Sequence, residues 1–395
     1  MKRDYYLLLA ARVLRGFGFG FAAVLLGVHL ERRGLSPQAI GLLLAIGLLA
    51  GSLYGLPFAA IAGRIGRRPV LAAVGALMAL TGIDLAFAAQ PWLLMLAGAT
   101  GMLGAASVDL GPFLALEQAM LIESVPSQRR NMAFGRYSFS GGLAAALGGL
   151  AAALGTTPSK AQLLFLVYAA IGIATAVLPL LLSKRVESPV HGPMLSRVSV
   201  KPLAGLSALF AVDALGGGLV IQAVIAYWLH IRFGAGVQVL GPALAAMAFV
   251  QAASFEVASR LADRFGLVKT MVFTHLPSNV LLILVPFSPN LAIAIAILVL
   301  RFSIAQMDVP ARQAYVASIV PPSERVGALA LTGAVRGVAQ SIGPAVAGIA
   351  IQAASFGAPF FVAGSLKIAY DLGLYAAFRK RPAEHESAPR PVRIR

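Results

Sequence analysis

The chain alternates between long apolar runs and short polar tracts, and the runs are too long and too even to be strands. The stretch from Gln162 to Leu182, for instance, is rich in Ala, Leu and Gly and shows no alternation of polarity. Crossing the hydrocarbon core of a bilayer as a helix takes roughly 20 residues. Runs long enough fall at 5–28, 37–61, 70–89, 92–123, 131–154 and 161–183, and again at 203–229, 238–259, 268–287, 291–319, 325–353 and 357–378. Within hydrocarbon the backbone must satisfy its own hydrogen bonds, so only helices or a closed barrel can span it. A barrel calls for segments of about ten residues with alternating polarity. The pattern therefore predicts an all-α, polytopic membrane protein of twelve transmembrane helices.

The longest polar interruption, from Ser183 to Lys201, contains Pro189, Gly192 and Pro193 and reads as a linker between two sets of six helices. The expected organisation is a first bundle over 1–183, a cytoplasmic linker over 184–202, a second bundle over 203–379 and a basic cytoplasmic tail over 380–395. The two sets look like copies. Gln118-Ala119, Val125-Pro126, Arg130 and Ala133 superpose on Gln313-Ala314, Val320-Pro321, Arg325 and Ala328 at an offset of 195 residues. Gly34, Gln38 and Gly41 match Gly234, Gln238 and Gly241 at an offset of 200, as do Arg64 and Gly66 with Arg264 and Gly266. Three regions agreeing at nearly one offset indicate two pseudo-symmetric six-helix bundles related by an axis along the membrane normal.

Composition agrees with that picture: 59% of residues are hydrophobic and 12% charged, against roughly a quarter charged in soluble domains. The formal net charge of +17 would suit a nucleic-acid partner, but most charges sit in short tracts between apolar runs. They follow the positive-inside rule instead. Loops on the side of the termini carry Arg64, Arg67, Arg68, Arg129, Arg130 and Lys184, whereas the opposite loops offer Arg32, Arg33, Lys160 and Arg232. Both termini are therefore expected in the cytoplasm, in a bacterial inner membrane. Arg12 and Arg15 lie inside the first apolar run, so it reads as a membrane helix rather than a cleaved leader. With no cysteine in the chain, disulfides and thiolate chemistry are excluded.

On these repeats and loops the sequence resembles the major facilitator superfamily over essentially its whole length. The family's loop after the second helix, G-x-x-x-D-R-x-G-R-R, is similar to Gly63-Arg64-Ile65-Gly66-Arg67-Arg68, with Gly63 at the acidic position. The second half keeps the acid, as Asp263-Arg264-Phe265-Gly266. The resemblance implies that both loops act as gating latches at the cytoplasmic face, with the glycines allowing a tight turn and the arginines capping helix C-termini. The family's helix-four motif R-x-x-Q-G has Gly98 near its arginine position, while Arg301 occupies the pseudo-equivalent place in helix ten. The run from Asp308 to Arg325 looks like that of a branch of bacterial exporters, and Gly343-Pro344 with Gly348 is similar to the family's antiporter motif. In the family, helices one, four, seven and ten line a central cavity.

Each of those four helices carries charge inside its apolar run, and a charge at mid-bilayer costs from about 3 kcal/mol upward. Arg15 and Asp213 lie at similar depth in helices one and seven and are nearly pseudo-equivalent. Asp109 lies in helix four, and Arg301 and Asp308 fall on one face of helix ten, seven residues apart. Glu256 in helix eight and Arg336 in helix eleven complete the candidate substrate- and proton-binding set. Two explanations compete: a charged cavity alternating between the two sides, or static ion pairs holding helices together. Asp308 with Arg312, and Lys367 with Asp371, are spaced i,i+4 and read as pairs within one helix. His275 and Asn279 read as helix–helix hydrogen bonders, with a proton relay as the other option. Arg136 aligns with Arg336 at the offset of 200.

The expectation is a secondary active transporter, exporting a small amphiphilic or charged solute against protons by alternating access. A uniporter or importer is the alternative within the class, and a membrane sensor or enzyme the alternative outside it. HExxH and Cys/His motifs are missing from the sequence, as is a Walker motif. No cofactor, metal or nucleic acid is expected. The partners foreseen are a small-molecule substrate, protons and the bilayer, around a monomer.

Overall fold

The computed structural model describes residues 2–106, 112–125, 130–187, 197–265, 267–318, 320 and 325–378. The expected tail over 380–395 and most of the linker, 188–196, lie outside them. In the first half the helices are α1 (Lys2–Arg32), α2 (Pro37–Ile65), α3 (Arg67–Phe87), α4 (Pro91–Ala99), α5 (Pro112–Ser124), α6 (Arg130–Ala152) and α7 (Pro158–Val177). The second half contains α8 (Arg197–Gly218), α9 (Gln222–Phe233), α10 (Val237–Phe265), α11 (Leu267–Leu284), α12 (Leu291–Phe302), α13 (Asp308–Ser318), α14 (Arg325–Gln352) and α15 (Ala358–Phe378).

Twelve spans arise from these helices because three spans are built from two pieces. Span four is α4 followed by α5, span seven is α8 followed by α9, and span ten is α12 followed by α13. Each was expected as one continuous helix. In span four the interruption is shaped by Gly101 and Gly104, at φ +73° and +68°, a backbone that side-chain-bearing residues rarely adopt. Among the described residues eight segments are long and apolar enough to cross a membrane, among them Arg67–Phe87, Pro158–Leu181 and, across the break of span seven, Leu203–Phe233. Large apolar side chains such as Leu80, Phe87, Leu163, Ile173 and Phe273 remain more than half exposed, which suits contact with lipid.

The turns at the face opposite the termini (the far face) are set by short-range chemistry. Ser36, Thr157 and Asn290 each cap a helix, accepting from the backbone N–H of Ala39, Lys160 and Ile293 at 3.3, 3.3 and 3.0 Å. Gly34 and Gly234, matched across the repeat, take φ +86° and +67° just after α1 and α9 end.

Packing repeats as the sequence does. In the first half α1 lies on α6 and α3 on α7; in the second, α8 lies on α14 and α11 on α15. A Cβ on Gly20 would sit 2.1 Å from the carbonyl oxygen of Ala145, and one on Gly218 would sit 2.0 Å from that of Gln340. Only glycine permits such approaches. The halves meet along two seams, α2 on α14 and α6 on α10. Both seams are lined by small residues, Gly41 against Gly348 and Gly241 against Gly149. Toward the far face α1 also packs on α9, where a Cβ on Gly27 would lie 2.7 Å from that of Tyr227. There Glu31 and His230 pair at 3.1 Å, and the Ala223 N–H donates to the carbonyl of Ala105 at 3.1 Å.

Candidate functional site

Of the charges expected in the first half, Arg15 is held by a single carboxylate. Arg15 is fully buried and its two terminal nitrogens donate to the two oxygens of Glu117, at 2.7 and 2.6 Å. The Tyr137 hydroxyl donates to the same carboxylate at 2.7 Å, and the Arg15 guanidinium lies 4.1 Å from the centre of the Phe113 ring. Spans one, four and five are thereby tied by a bidentate pair, the strongest geometry an arginine and a carboxylate can adopt.

The second half is more crowded. Asp213 is 2% exposed and receives Lys367 Nζ at 2.6 Å on Oδ1 and Arg336 Nη1 at 2.8 Å on Oδ2. Arg312 approaches it at 3.8 Å while donating to Asp308. On its other side the His275 ring spans two carboxylates: Nδ1 lies 2.9 Å from Asp371 Oδ1, and Nε2 lies 3.7 Å from Asp213 Oδ1. Asn279 donates to the second oxygen of Asp371 at 2.9 Å. Five spans thus contribute, from seven and nine through twelve. Among the described residues no cluster of three His, Asp or Glu is disposed to hold a metal ion.

The two arrangements are one motif with its signs exchanged. Arg15 corresponds to Asp213 at an offset of 198, and Glu117 corresponds to Arg312 at 195. Spans one and four therefore meet through arginine and glutamate, and spans seven and ten through aspartate and arginine. Backbone packing also revises one correspondence. Gly20 against Ala145 matches Gly218 against Gln340, which sets the offset in spans five and eleven at 195 and pairs Arg336 with Gly141 rather than Arg136. Arg136 is exposed, while Arg336 reaches Asp213.

Arg301 stands apart. It is 6% exposed at the end of α12, beside the interruption of span ten, and its Nε has no hydrogen-bond partner. Arg15, Asp213 and Arg301 are all buried inside the protein rather than turned toward lipid. Asp109 lies outside the described residues, as does the side chain of Glu256.

The family model for the Major Facilitator Superfamily matches residues 8–229 and 206–394. The chain belongs to that superfamily. It is 26% identical over 422 residues to an uncharacterised membrane protein of Saccharomyces cerevisiae, YJR124C, covering 95% of this chain and 94% of the yeast one. Its fold is similar to that of the nucleoside transporter NupG, with a TM-score of 0.76 at 12% identity, covering 95% of this chain and 99% of the other. A D-xylose-proton symporter gives a TM-score of 0.73 at 15% identity, covering 94% and 97%. The protein is a multi-pass membrane transporter of the major facilitator type, not an enzyme.

The superfamily loop in the first half holds its own bundle together. Gly66 takes φ +99°, and Arg67 and Arg68 then reach the end of span six. Arg67 donates to the carbonyl of Val186 at 2.9 Å, and Arg68 to those of Pro179, at 3.2 Å, and Leu180. Glu187 accepts from the Arg68 N–H at 3.2 Å. Gly63 and Arg64 are exposed. In the second-half loop Arg264 is exposed against the Phe265 ring, whereas Gly266 and the Asp263 side chain lie outside the described residues.

Sequence reasoning missed Glu117 and Tyr137, and it misread Lys367. Lys367 serves Asp213 rather than Asp371, because the amine reaches a carboxylate in the neighbouring span. Asp371 is held by His275 and Asn279, the helix–helix hydrogen bonding expected of that pair. The Asp308–Arg312 pair is formed as read.

Proposed function

We propose that the protein is a secondary active transporter that moves a small charged solute by alternating access, coupled to protons through the second-half cluster. The observation that carries this reading is the His275 ring lying between Asp213 and Asp371, with three cations shared on Asp213. An imidazole between two carboxylates can accept a proton at one nitrogen and release it at the other. Burial favours the neutral form of a carboxyl group and a nearby guanidinium favours the charged form. Moving Arg312 or Arg336 off Asp213 during the cycle would therefore change its hold on a proton. Arg15 is assigned a packing role, as the clamp between spans one, four and five. Both termini are placed in the cytoplasm, and the loops at Gly63–Arg68 and Asp263–Gly266 act as latches at that face of an inner membrane, in a monomer.

Export in exchange for protons is the direction we favour, on the resemblance of the Asp308–Arg325 run to exporters. Uptake with protons is the second reading, favoured by the fold's similarity to a D-xylose-proton symporter. The test is proton flux and solute flux in proteoliposomes under an imposed pH gradient, comparing wild type with Asp213→Asn, His275→Gln and Arg15→Ala. The first two should abolish gradient-driven flux. If both retain it, coupling does not run through this cluster. The sign of the gradient that drives solute out of the vesicle separates export from uptake.

A further inference from the structure

In the core of the second half, the described side chains place four cations, Arg301, Arg312, Arg336 and Lys367, among three carboxylates, Asp213, Asp308 and Asp371. Asp213 takes Lys367 and Arg336, Asp308 takes Arg312, and Asp371 is occupied by His275 and Asn279. Arg301 is left over. Among the described residues no carboxylate lies within 4 Å of it, its guanidinium rests 5.1 Å from the neighbouring Phe302 ring centre, and its Nε is buried without a partner. Asp213 acts on it only from beyond contact distance, and a buried guanidinium with no carboxylate in contact is a costly arrangement that in membrane spans marks a functional site.

Its position sharpens the point. Arg301 lies ten residues into span ten from the far face, roughly 15 Å deep at 1.5 Å per residue. The backbone of span ten breaks immediately afterwards, at residues 303–307, and span seven breaks at a matching depth, where α9 begins at Gln222. The Oε1 of Gln222 is likewise buried without a partner. Irregular backbone at membrane depth is tolerated where it is enclosed by protein or lines a cavity. The last turn of α12 gives Arg301 part of the negative potential it lacks. A bound oxyanion would supply the rest, through the paired donors that a guanidinium offers a carboxylate or a phosphate.

We infer that Arg301 is the anchor for a negatively charged substrate, a small organic acid bearing a carboxylate or phosphate monoester group, bound at mid-membrane beside the break of span ten. This rests on the transporter reading above but not on proton coupling. It is tested with the purified full-length chain in detergent, by thermal unfolding of wild type, Arg301→Gln and Arg301→Lys. The probes are citrate, benzoate and glycerol 3-phosphate, with xylose, uridine and tetraphenylphosphonium as neutral and cationic controls. An unpaired cation kept for a ligand is a liability in the empty protein, so Arg301→Gln should unfold at the same temperature as wild type or a few degrees higher. At least one oxyanion should raise the wild-type midpoint by several degrees, lose that effect in Arg301→Gln and keep part of it in Arg301→Lys. A midpoint for Arg301→Gln well below wild type would make the residue a structural one. A response to oxyanions undiminished in Arg301→Gln, or to the control solutes alone, or to no probe at all, also overturns the inference. Because proton flux in Asp213→Asn is measured separately, failure here leaves the coupling proposal standing, and the reverse holds too.

Discussion

In the first half, Arg15 and Glu117 close on each other with a tyrosine in support, and the pair joins three spans. At the matching positions of the second half, Asp213 and Arg312 stand 3.8 Å apart, each engaged with other partners. A tight bidentate pair gains little from rearrangement and loses much. A carboxylate shared among several cations can exchange one for another at small cost, since each departure leaves the rest in place. Gene duplication thus gave the same scaffold twice, and the charges divide it into a clamp and an exchange point.

Sign reversal is the severest way to break that contrast. Arg15→Glu combined with Glu117→Arg should still yield folded protein, because the pair is rebuilt. Asp213→Arg combined with Arg312→Asp should not, because Lys367 and Arg336 lose their carboxylate and meet a new cation. Monodispersity on size exclusion distinguishes them, and equal outcomes would dissolve the comparison. Next in size, Glu117→Ala should destabilise by about 3–5 kcal/mol in denaturant titration, the usual loss when one member of a buried pair is removed. Adding Arg15→Met should restore most of it, with transport retained; transport lost in a stable double variant would move Arg15 from clamp to binding site. Tyr137→Phe removes a hydrogen bond to a charged group and should cost about 1.5–3 kcal/mol, with proton coupling unchanged. The smallest effect is expected of Arg64→Ala. Its side chain is exposed, so the melting curve should coincide with wild type.

Much of this was legible from residue order. The twelve runs, the repeat and the buried positions of Arg15 and Asp213 follow from hydropathy and from the matched glycines at 34 and 234. The breaks in spans four, seven and ten were not, because the chain stays apolar through them, as in Met102-Leu103 and Leu219-Val220-Ile221. Hydropathy reports solvent preference and is blind to a backbone that stops being helical. Partners of charges were the other gap. Lys367 and Asp371 satisfy the helical i,i+4 rule, yet a lysine stem is long enough to serve a carboxylate in another span, and there it goes. Glu117 could have been found, since the offset of 195 that aligns Gln118 with Gln313 also sets it against Arg312.

The seams between the bundles, Gly41 against Gly348 and Gly149 against Gly241, work as plain bearings. Where bulky knobs sit in holes, one helix can turn against another only by pulling each tooth free. Here backbone lies directly on backbone, so the rocking that the proposed alternating access requires would have almost no ratchet to climb. A leucine at Gly41 would meet the Pro344 carbonyl and jam the bearing, leaving each bundle folded around its own centre.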